Sequence, residues 1–378
     1  MTTEYNPGLD GIVLGPTALS GVDGEAGVLT YRGYPIEELA GSVSYEETVY
    51  LLWYGELPTA AELDRFSQQL VANRALPEPL PTLLAALVES NDEPMDAVRT
   101  AVSALTASDP HAGDAAGNRE NTETAAIRLT AVLPTIIATY VRLRDGNEPV
   151  DPRDDLGHAA NFLYMLTGEE PDPVVADTLD MALVLHLDHG INASTFSGKV
   201  NASTLATVYS SVTGSLSALS GPLHGGANAD VMRMLQAVDE SEKSPTEWVD
   251  DAIARGDRIP GFGHRVYQVK DPRAVVLQER SKALAEAAGE TKWYEYSTEI
   301  EAYLADEKGI KPNVDFYSSS MYYVMDIPID IYTPIFAISR MAGWLAHLFE
   351  QYEDNRLIRP LGDYVGEHGK TVTPLDER

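Results

Sequence analysis

Three histidines lie in segments with little helical logic: His189 in LDHGINAST, His224 in GPLHGGAN and His264 in GFGHRVY. Glycine beside a side chain lets the backbone approach a ligand closely and take up positive φ. One histidine alone is usually structural, whereas three in glycine-punctuated segments point to a site. Imidazoles exchange protons near neutral pH, which suits general acid–base chemistry. His186 and His189 have helical spacing, but no HExxH-type acid accompanies them, so no metal is expected. Asp315, in KPNVDFYSSSMYY (311–323), stands between Val314 and Phe316. A carboxylate in apolar surroundings is partly desolvated and becomes more basic; the alternative is a solvated loop residue or a helix N-cap. Arg273 in DPR, Arg340 in ISRMAGWLAH and Arg359 in NRLIRPLGDY offer guanidinium groups that grip carboxylates bidentately. Each also has the plainer option of pairing with a surface acid.

The elements that must position these groups read as mostly helical. The segment GIVLGPTALSGVDGEAGVLTYRGY, rich in glycine, predicts short extended pieces and turns. From Pro35 the apolar spacing turns helical at Ile36, Leu39 and Ala40, and again at Val49, Leu51, Leu52 and Trp53. Helical segments then run to Arg144, with breaks at Gly55–Pro58, Pro77–Pro81 and Ser108–Asn121, the last read as an exposed loop. Pro149–Asp155 is a further break, with Asp151 and Asp154 as candidate N-caps. Helical patterning resumes over Phe162–Leu166 and Thr178–Leu187, and Ser203–Leu219 is a long small-residue segment whose Ala and Ser content predicts close helix packing. Strand-like alternation is scarce, so the fold is expected to be mostly α.

With 378 residues, the chain is long enough for two domains and a large core. Its charge is the outlier: 27 Lys and Arg against 58 Asp and Glu give −31. That charge repels nucleic acid and anionic lipid, so neither is an expected partner. Disorder is disfavoured because apolar residues make up 44% of the chain. Only 8 basic residues are Lys, and none precedes Lys199. An acidic, lysine-poor chain fits a salt-rich cytosol, where molar salt shortens the Debye length to about 3 Å. With no Cys, disulfide and thiolate chemistry are excluded. The N-terminal residues have no signal-peptide pattern and no run of 18 apolar residues occurs, so a soluble, cytoplasmic protein is expected.

Taken together, these segments resemble the citrate synthase family, particularly its halophilic archaeal members. The likeness spans nearly the whole chain, through EETVYLLWYGELPT, NFLYMLTGEEP, LHLDHGINASTFS, GPLHGGAN, PGFGHRVYQVKDPR, PNVDFYSSSMYY, GWLAHLFEQ and NRLIRP. GFGHRV followed by DPR is its most specific piece. The resemblance implies a large helical domain of residues 1–225 and 328–378, carrying a dimer interface. It also implies a smaller helical domain, 226–327, that closes over the substrates. By the same likeness, acetyl-CoA and oxaloacetate are the substrates and the enzyme is a homodimeric acyltransferase of the tricarboxylic acid cycle, without a cofactor. His224 matches the residue that hydrogen-bonds the thioester oxygen, Asp315 the base, and His264 the donor to the ketone oxygen. His189, Arg273, Arg340 and Arg359 match oxaloacetate ligands, Arg359 reaching the other subunit's site. Arg258, Ile259, Pro260, Gly261 and Phe262 match the segment lying along CoA.

Four positions depart from the family pattern. Gly190 stands where an acid usually follows the Asp-His pair, Lys199 where Arg is expected, and Leu361 where a second basic residue is common. Gln268 replaces a basic residue four positions after His264, which alters the expected CoA phosphate contacts. The rival reading is 2-methylcitrate synthase, with propionyl-CoA as substrate. One methylene is discriminated by only about 1–3 kcal/mol of pocket fit.

Overall fold

The computed structural model describes residues 5–90, 93–114 and 118–378. Sixteen α-helices dominate these residues, beside one three-stranded antiparallel sheet. The glycine-rich start forms that sheet. Strands Ser20–Asp23 and Val28–Tyr31 make a hairpin with Ser20 opposite Tyr31, and Tyr34–Pro35 pairs along the second strand. Asp23 Oδ1 accepts from the N–H groups of Glu25 and Ala26 at 3.0 and 2.9 Å, closing the turn.

Several helix starts follow from local sequence. Ser44 with Glu47, Thr59 with Glu62, and Ser244 with Glu247 are reciprocal capping boxes, which satisfy first-turn N–H groups. The helix Arg119–Arg144 is buried on all sides from Leu129 to Val141. Among the described residues it alone is long and apolar enough to span a membrane. Its apolar window is 89% buried within the fold, as befits a core helix. Against it packs Tyr332–Glu353, which also contacts Tyr45–Tyr54, Pro173–His186, Ala193–Ser203 and Val208–Leu219. A second group, comprising Ala227–Glu240, Pro245–Arg255, Pro272–Ala288, Lys292–Lys308 and Val314–Val324, packs chiefly among its own members.

Two local expectations need correction and a third gains detail. Ser203–Leu219 spans the end of one helix and the whole of the next. One helix ends at Ser203, Leu205 takes φ +63°, and Thr207 caps the next by accepting from Ser210 N–H at 3.1 Å. Small residues do give close packing there, since a Cβ on Gly198 or Gly214 would overlap a side chain of the facing helix. Asp151 and Asp154 cap nothing. The helix His158–Thr167 starts after Gly157, and its first N–H is taken by Glu46 Oε1 at 2.8 Å, a partner 112 residues away. Finally, the break read as a loop over Ser108–Asn121 contains a 3₁₀ turn at Ala112–Asp114, and Arg119–Asn121 belong to the core helix. Residues 115–117 of that break lie outside the described residues.

Candidate active site

Asp315 is the second residue of helix Val314–Val324, not its cap. Asn313 is the cap: its Oδ1 accepts from Asp315 N–H at 3.0 Å. That neighbour also ties the helix to the His264 segment. Asn313 N–H donates to Gly261 O at 2.9 Å, its Nδ2 donates to Gly263 O at 3.0 Å, and Gly263 N–H donates to Lys311 O at 2.9 Å. The approach requires glycine at 261, where φ is +79° and a Cβ would stand 2.8 Å from the Phe316 ring. Phe262 packs edge-on against that ring, with centroids 4.5 Å apart. The chain therefore carries His264 and Asp315 on two segments stitched together by main-chain bonds.

His264 is held in one tautomer. Its Nδ1 accepts from the N–H groups of Val266 and Tyr267, both at 3.0 Å. A neutral ring so held carries its proton on Nε2, a donor with no protein partner among the described residues. Burial and then the Arg273 charge push its pKa down to about 4, so the ring is neutral at pH 7. His224 has the complementary arrangement. Its Nε2 faces Ser194 Oγ at 2.9 Å and the Ser194 N–H at 3.3 Å, which leaves Nδ1 as the free donor. Burial, and next Arg340, lower it to about 4 as well. Asp315 shifts the other way: burial raises it to about 6, against the lowering effect of Arg273 and Arg340.

Two buried arginines organise the rest. Asp271 caps helix Pro272–Ala288, and Arg273 two residues on folds back on it, Nε to Oδ1 at 3.0 Å and NH2 to Oδ2 at 2.7 Å. Burial alone would raise Asp271, but Arg273 outweighs it and holds the acid ionised. Arg340 has no such partner. Its Nε donates to His186 O at 2.7 Å, and its guanidinium lies 4.7 Å from the Phe336 ring centroid. Burial lowers its pKa to about 10, so it stays charged at pH 7. A buried guanidinium without an ion-pair partner among the described residues is a ready seat for an anion. His189 completes the cluster: its ring is 5.2 Å from that of His264, and Nε2 is 3.1 Å from Tyr267 OH. Burial and Arg273 keep it well below the usual histidine range.

Thus His189, His264, Asp315 and Arg273 share one electrostatic neighbourhood, and Arg340 links His224 and Asp315 to it. Arg359 does not join them. It lies on the exposed stretch after helix Tyr332–Glu353, with no hydrogen bond to the cluster among the described residues. Arg258 is likewise exposed, while Ile259 and Pro260 are half-buried on the approach to Gly261 and Phe262. A separate groove of about 550 Å³, lined by Tyr50, Tyr54, Glu62, Arg65 and Phe66 among others, contains none of these residues.

Sequence reasoning passed over the supports. Asp188, fully buried, accepts from Ser20 Oγ at 2.5 Å and contacts His347 Nε2 at 3.1 Å. Its own burial would raise its pKa, but His347, Arg340 and Ser20 together lower it. Ser194, Tyr267 and Asn313 stand inside the quoted motifs, so nearness to His224, His264 and Asp315 was the available signal. Ser20 and His347 meet Asp188 across 168 and 159 residues, and no local pattern announces that.

Comparison with known proteins bears on this arrangement. A family model described as "Citrate synthase, C-terminal domain" matches residues 8–361. The citrate synthase of Haloferax volcanii is 57% identical over 380 residues, covering 100% of both chains. The 2-methylcitrate synthase of Mycobacterium tuberculosis is 43% identical over 371 residues, covering 98% of this chain and 93% of its own. Among solved structures, the Thermoplasma acidophilum citrate synthase, in ternary complex with carboxymethyl coenzyme A and oxaloacetate, superposes with a TM-score of 0.92. It is 33% identical, with 100% of both chains covered. With full-length identity on this scale and the helical architecture shared throughout, the chain is an enzyme of the citrate synthase family.

Proposed function

We propose that this enzyme condenses acetyl-CoA with oxaloacetate and hydrolyses the product thioester to citrate and CoA. The observation that carries the reading is a carboxylate with a raised pKa and two neutral imidazoles gathered around the Arg273 and Arg340 charges. Each imidazole has one nitrogen anchored to protein and one free to donate. Asp315 takes a methyl proton from acetyl-CoA. The Nδ1–H of His224 bonds the thioester oxygen as negative charge gathers there, so the carboxylate faces a more acidic carbon. One preorganised donor of this kind contributes about 3–4 kcal/mol. The methylene carbon then attacks the ketone carbon of oxaloacetate, and Nε2–H of His264 donates to the ketone oxygen, which becomes a hydroxyl. Water finally cleaves the citryl thioester. Arg273, Arg340 and His189 bind the oxaloacetate carboxylates and carbonyl, Arg340 with a guanidinium that makes no salt bridge among the described residues. These proton transfers need no metal or redox cofactor.

The wider assembly belongs to the same reading. Exposed apolar side chains on the last residues, including Leu361, Val365, Val372 and Leu375, fit burial against a second copy of the chain. Arg359, on the same stretch, would then serve the partner's site in a homodimer. The mutual packing of the helices from Ala227 to Val324 supports a small domain at 226–327 that rotates over bound substrate, with CoA along Arg258–Phe262. The acidic, lysine-poor composition favours a cytoplasm rich in salt as the place of action.

The test is CoA release with oxaloacetate and either acetyl-CoA or propionyl-CoA, in molar KCl. Faster turnover of acetyl-CoA is expected. Preference for propionyl-CoA would make the enzyme a 2-methylcitrate synthase, and no release with either would overturn the proposal.

A further inference from the structure

The hairpin Ser20–Tyr31 touches the site at both of its ends. At its base, where Ser20 faces Tyr31, the two side chains hold the segment that carries His189. Ser20 Oγ donates to Asp188 Oδ2 at 2.5 Å and accepts from Gly190 N–H at 3.1 Å. Tyr31 OH accepts from Asp188 N–H at 3.1 Å and donates to Asp188 O at 2.9 Å, and both residues are wholly buried. Main-chain and side-chain atoms on both sides of His189 are therefore fixed to one ribbon.

At its tip, the turn presses on the segment that follows His264. Gly24 O accepts from Gln268 N–H at 2.8 Å. A Cβ on Gly24 would overlap the carbonyl oxygen of Val266, and one on Gly27 would meet the Val269 side chain. Val266 is one of the two residues whose N–H fixes His264 Nδ1. A push at Gly24 is thus transmitted to the ring through a single residue. Base and tip are separated by three strand steps, roughly 10 Å at the usual rise.

We propose that this hairpin is a positioning element for the reaction inferred above. It spans from the His189 segment to the His264 segment and sets how the two rings face oxaloacetate. Ser20 and Gly24 are its positioning residues and touch no substrate. The need is physical: the rings lie on segments 75 residues apart in the chain, yet their centroids stand 5.2 Å apart. A displacement of about 1 Å at a reacting group can cost on the order of 100-fold in rate. In the arrangement seen here the hairpin supplies that link by contact, where sequence proximity supplies none.

The experiment compares Gly24→Val, Ser20→Ala and Ser20→Thr with a control, Glu25→Ala, whose side chain is exposed on the same turn. Kinetics for each substrate and thermal melts are read in molar KCl. Gly24→Val should lower kcat/KM for oxaloacetate roughly 10- to 100-fold, with KM for acetyl-CoA little changed and the melting temperature somewhat lowered by the displaced Val266 main chain. Ser20→Ala should act in the same direction and Ser20→Thr should restore most of the loss, while the control stays at wild type. Unchanged oxaloacetate kinetics in a folded Gly24→Val or Ser20→Ala variant would overturn the proposal. So would a rise in KM for acetyl-CoA as large as that for oxaloacetate, which means a general structural effect. If the wild-type enzyme turns over neither thioester, the functional reading fails by itself. Oxaloacetate titration calorimetry on the same variants then decides the hairpin's role, weaker binding supporting it and unchanged binding refuting it.

Discussion

Asn313 Nδ2 donates to the carbonyl oxygen of Gly263 at 3.0 Å, and that bond fastens the residue before His264 to the cap of the helix bearing Asp315. Asn313→Ala removes this bond and the cap together. Cap loss costs about 1 kcal/mol and the second hydrogen bond about another, so a modest drop in denaturation midpoint is expected. Turnover should fall more than stability implies, because base and acid lose one of the bonds that tie their segments together. Initial rates beside a urea titration check this, and unchanged kcat in a folded variant would refute it.

Asp315 gives a pH dependence of definite sign. Its folded pKa of about 6 exceeds that of an unfolded aspartate, about 3.9. The folded state therefore gains from protonation of this group below the lower value, and the gain disappears as pH rises through the higher one. At pH 7–8 the site holds a poorly hydrated carboxylate. Asp315→Asn should then raise the unfolding free energy by about 1–3 kcal/mol and lower kcat by orders of magnitude. In the wild type, kcat/KM for acetyl-CoA should climb through a pKa of about 6. Near-normal turnover of the variant would remove Asp315 as the base.

Arg359 should act across subunits. Asp315→Asn and Arg359→Ala enzymes, each inactive alone, should regain part of their activity when exchanged into hybrid dimers. One hybrid site carries both changes and the other neither. Hybrids confirmed by native mass spectrometry yet inactive would place Arg359 in its own subunit's site.

The charge of −31 predicts opposite responses of stability and affinity to salt. At 0.01 M the Debye length is about 30 Å and the surface acids repel one another; near 1 M it is about 3 Å. Melting temperature should rise steadily with KCl. KM for oxaloacetate should rise modestly, because buried ion pairs are screened less than exposed ones. Equal melting temperatures in 0.05 M and 2 M KCl would show that the acidic surface is no salt adaptation.

Much of this architecture is legible in the chain. The mostly helical fold follows from apolar spacing. DPR, read in the sequence for its arginine alone, is also a helix start, with Asp271 as cap, Pro272 at the first position and Arg273 behind it. His189, His224 and His264 stand out because glycine surrounds them. What stays hidden is partnership over distance. Glu46 replaces Asp151 and Asp154 as the group receiving the first N–H of helix His158–Thr167 because a side chain from another helix reaches it first. Asp188 reads as an ordinary neighbour of His189 until Ser20, Tyr31 and His347 are seen around it. Helix Val314–Val324 starts early enough to include Asp315 because Asn313, not the acid, is the better-placed cap.

The hairpin's reach also bears on how the enzyme comes to life. A two-stranded ribbon closed by Asp23 needs only nearby residues and forms in about 1–10 μs. Its docking must wait for Asp188, 168 residues on, and for the still later Val266–Lys270 stretch. Such distant closures are what slow a folding reaction. In refolding from urea, helical circular dichroism should therefore return before catalysis does, and the first residues of the chain should be among the last to take their working place.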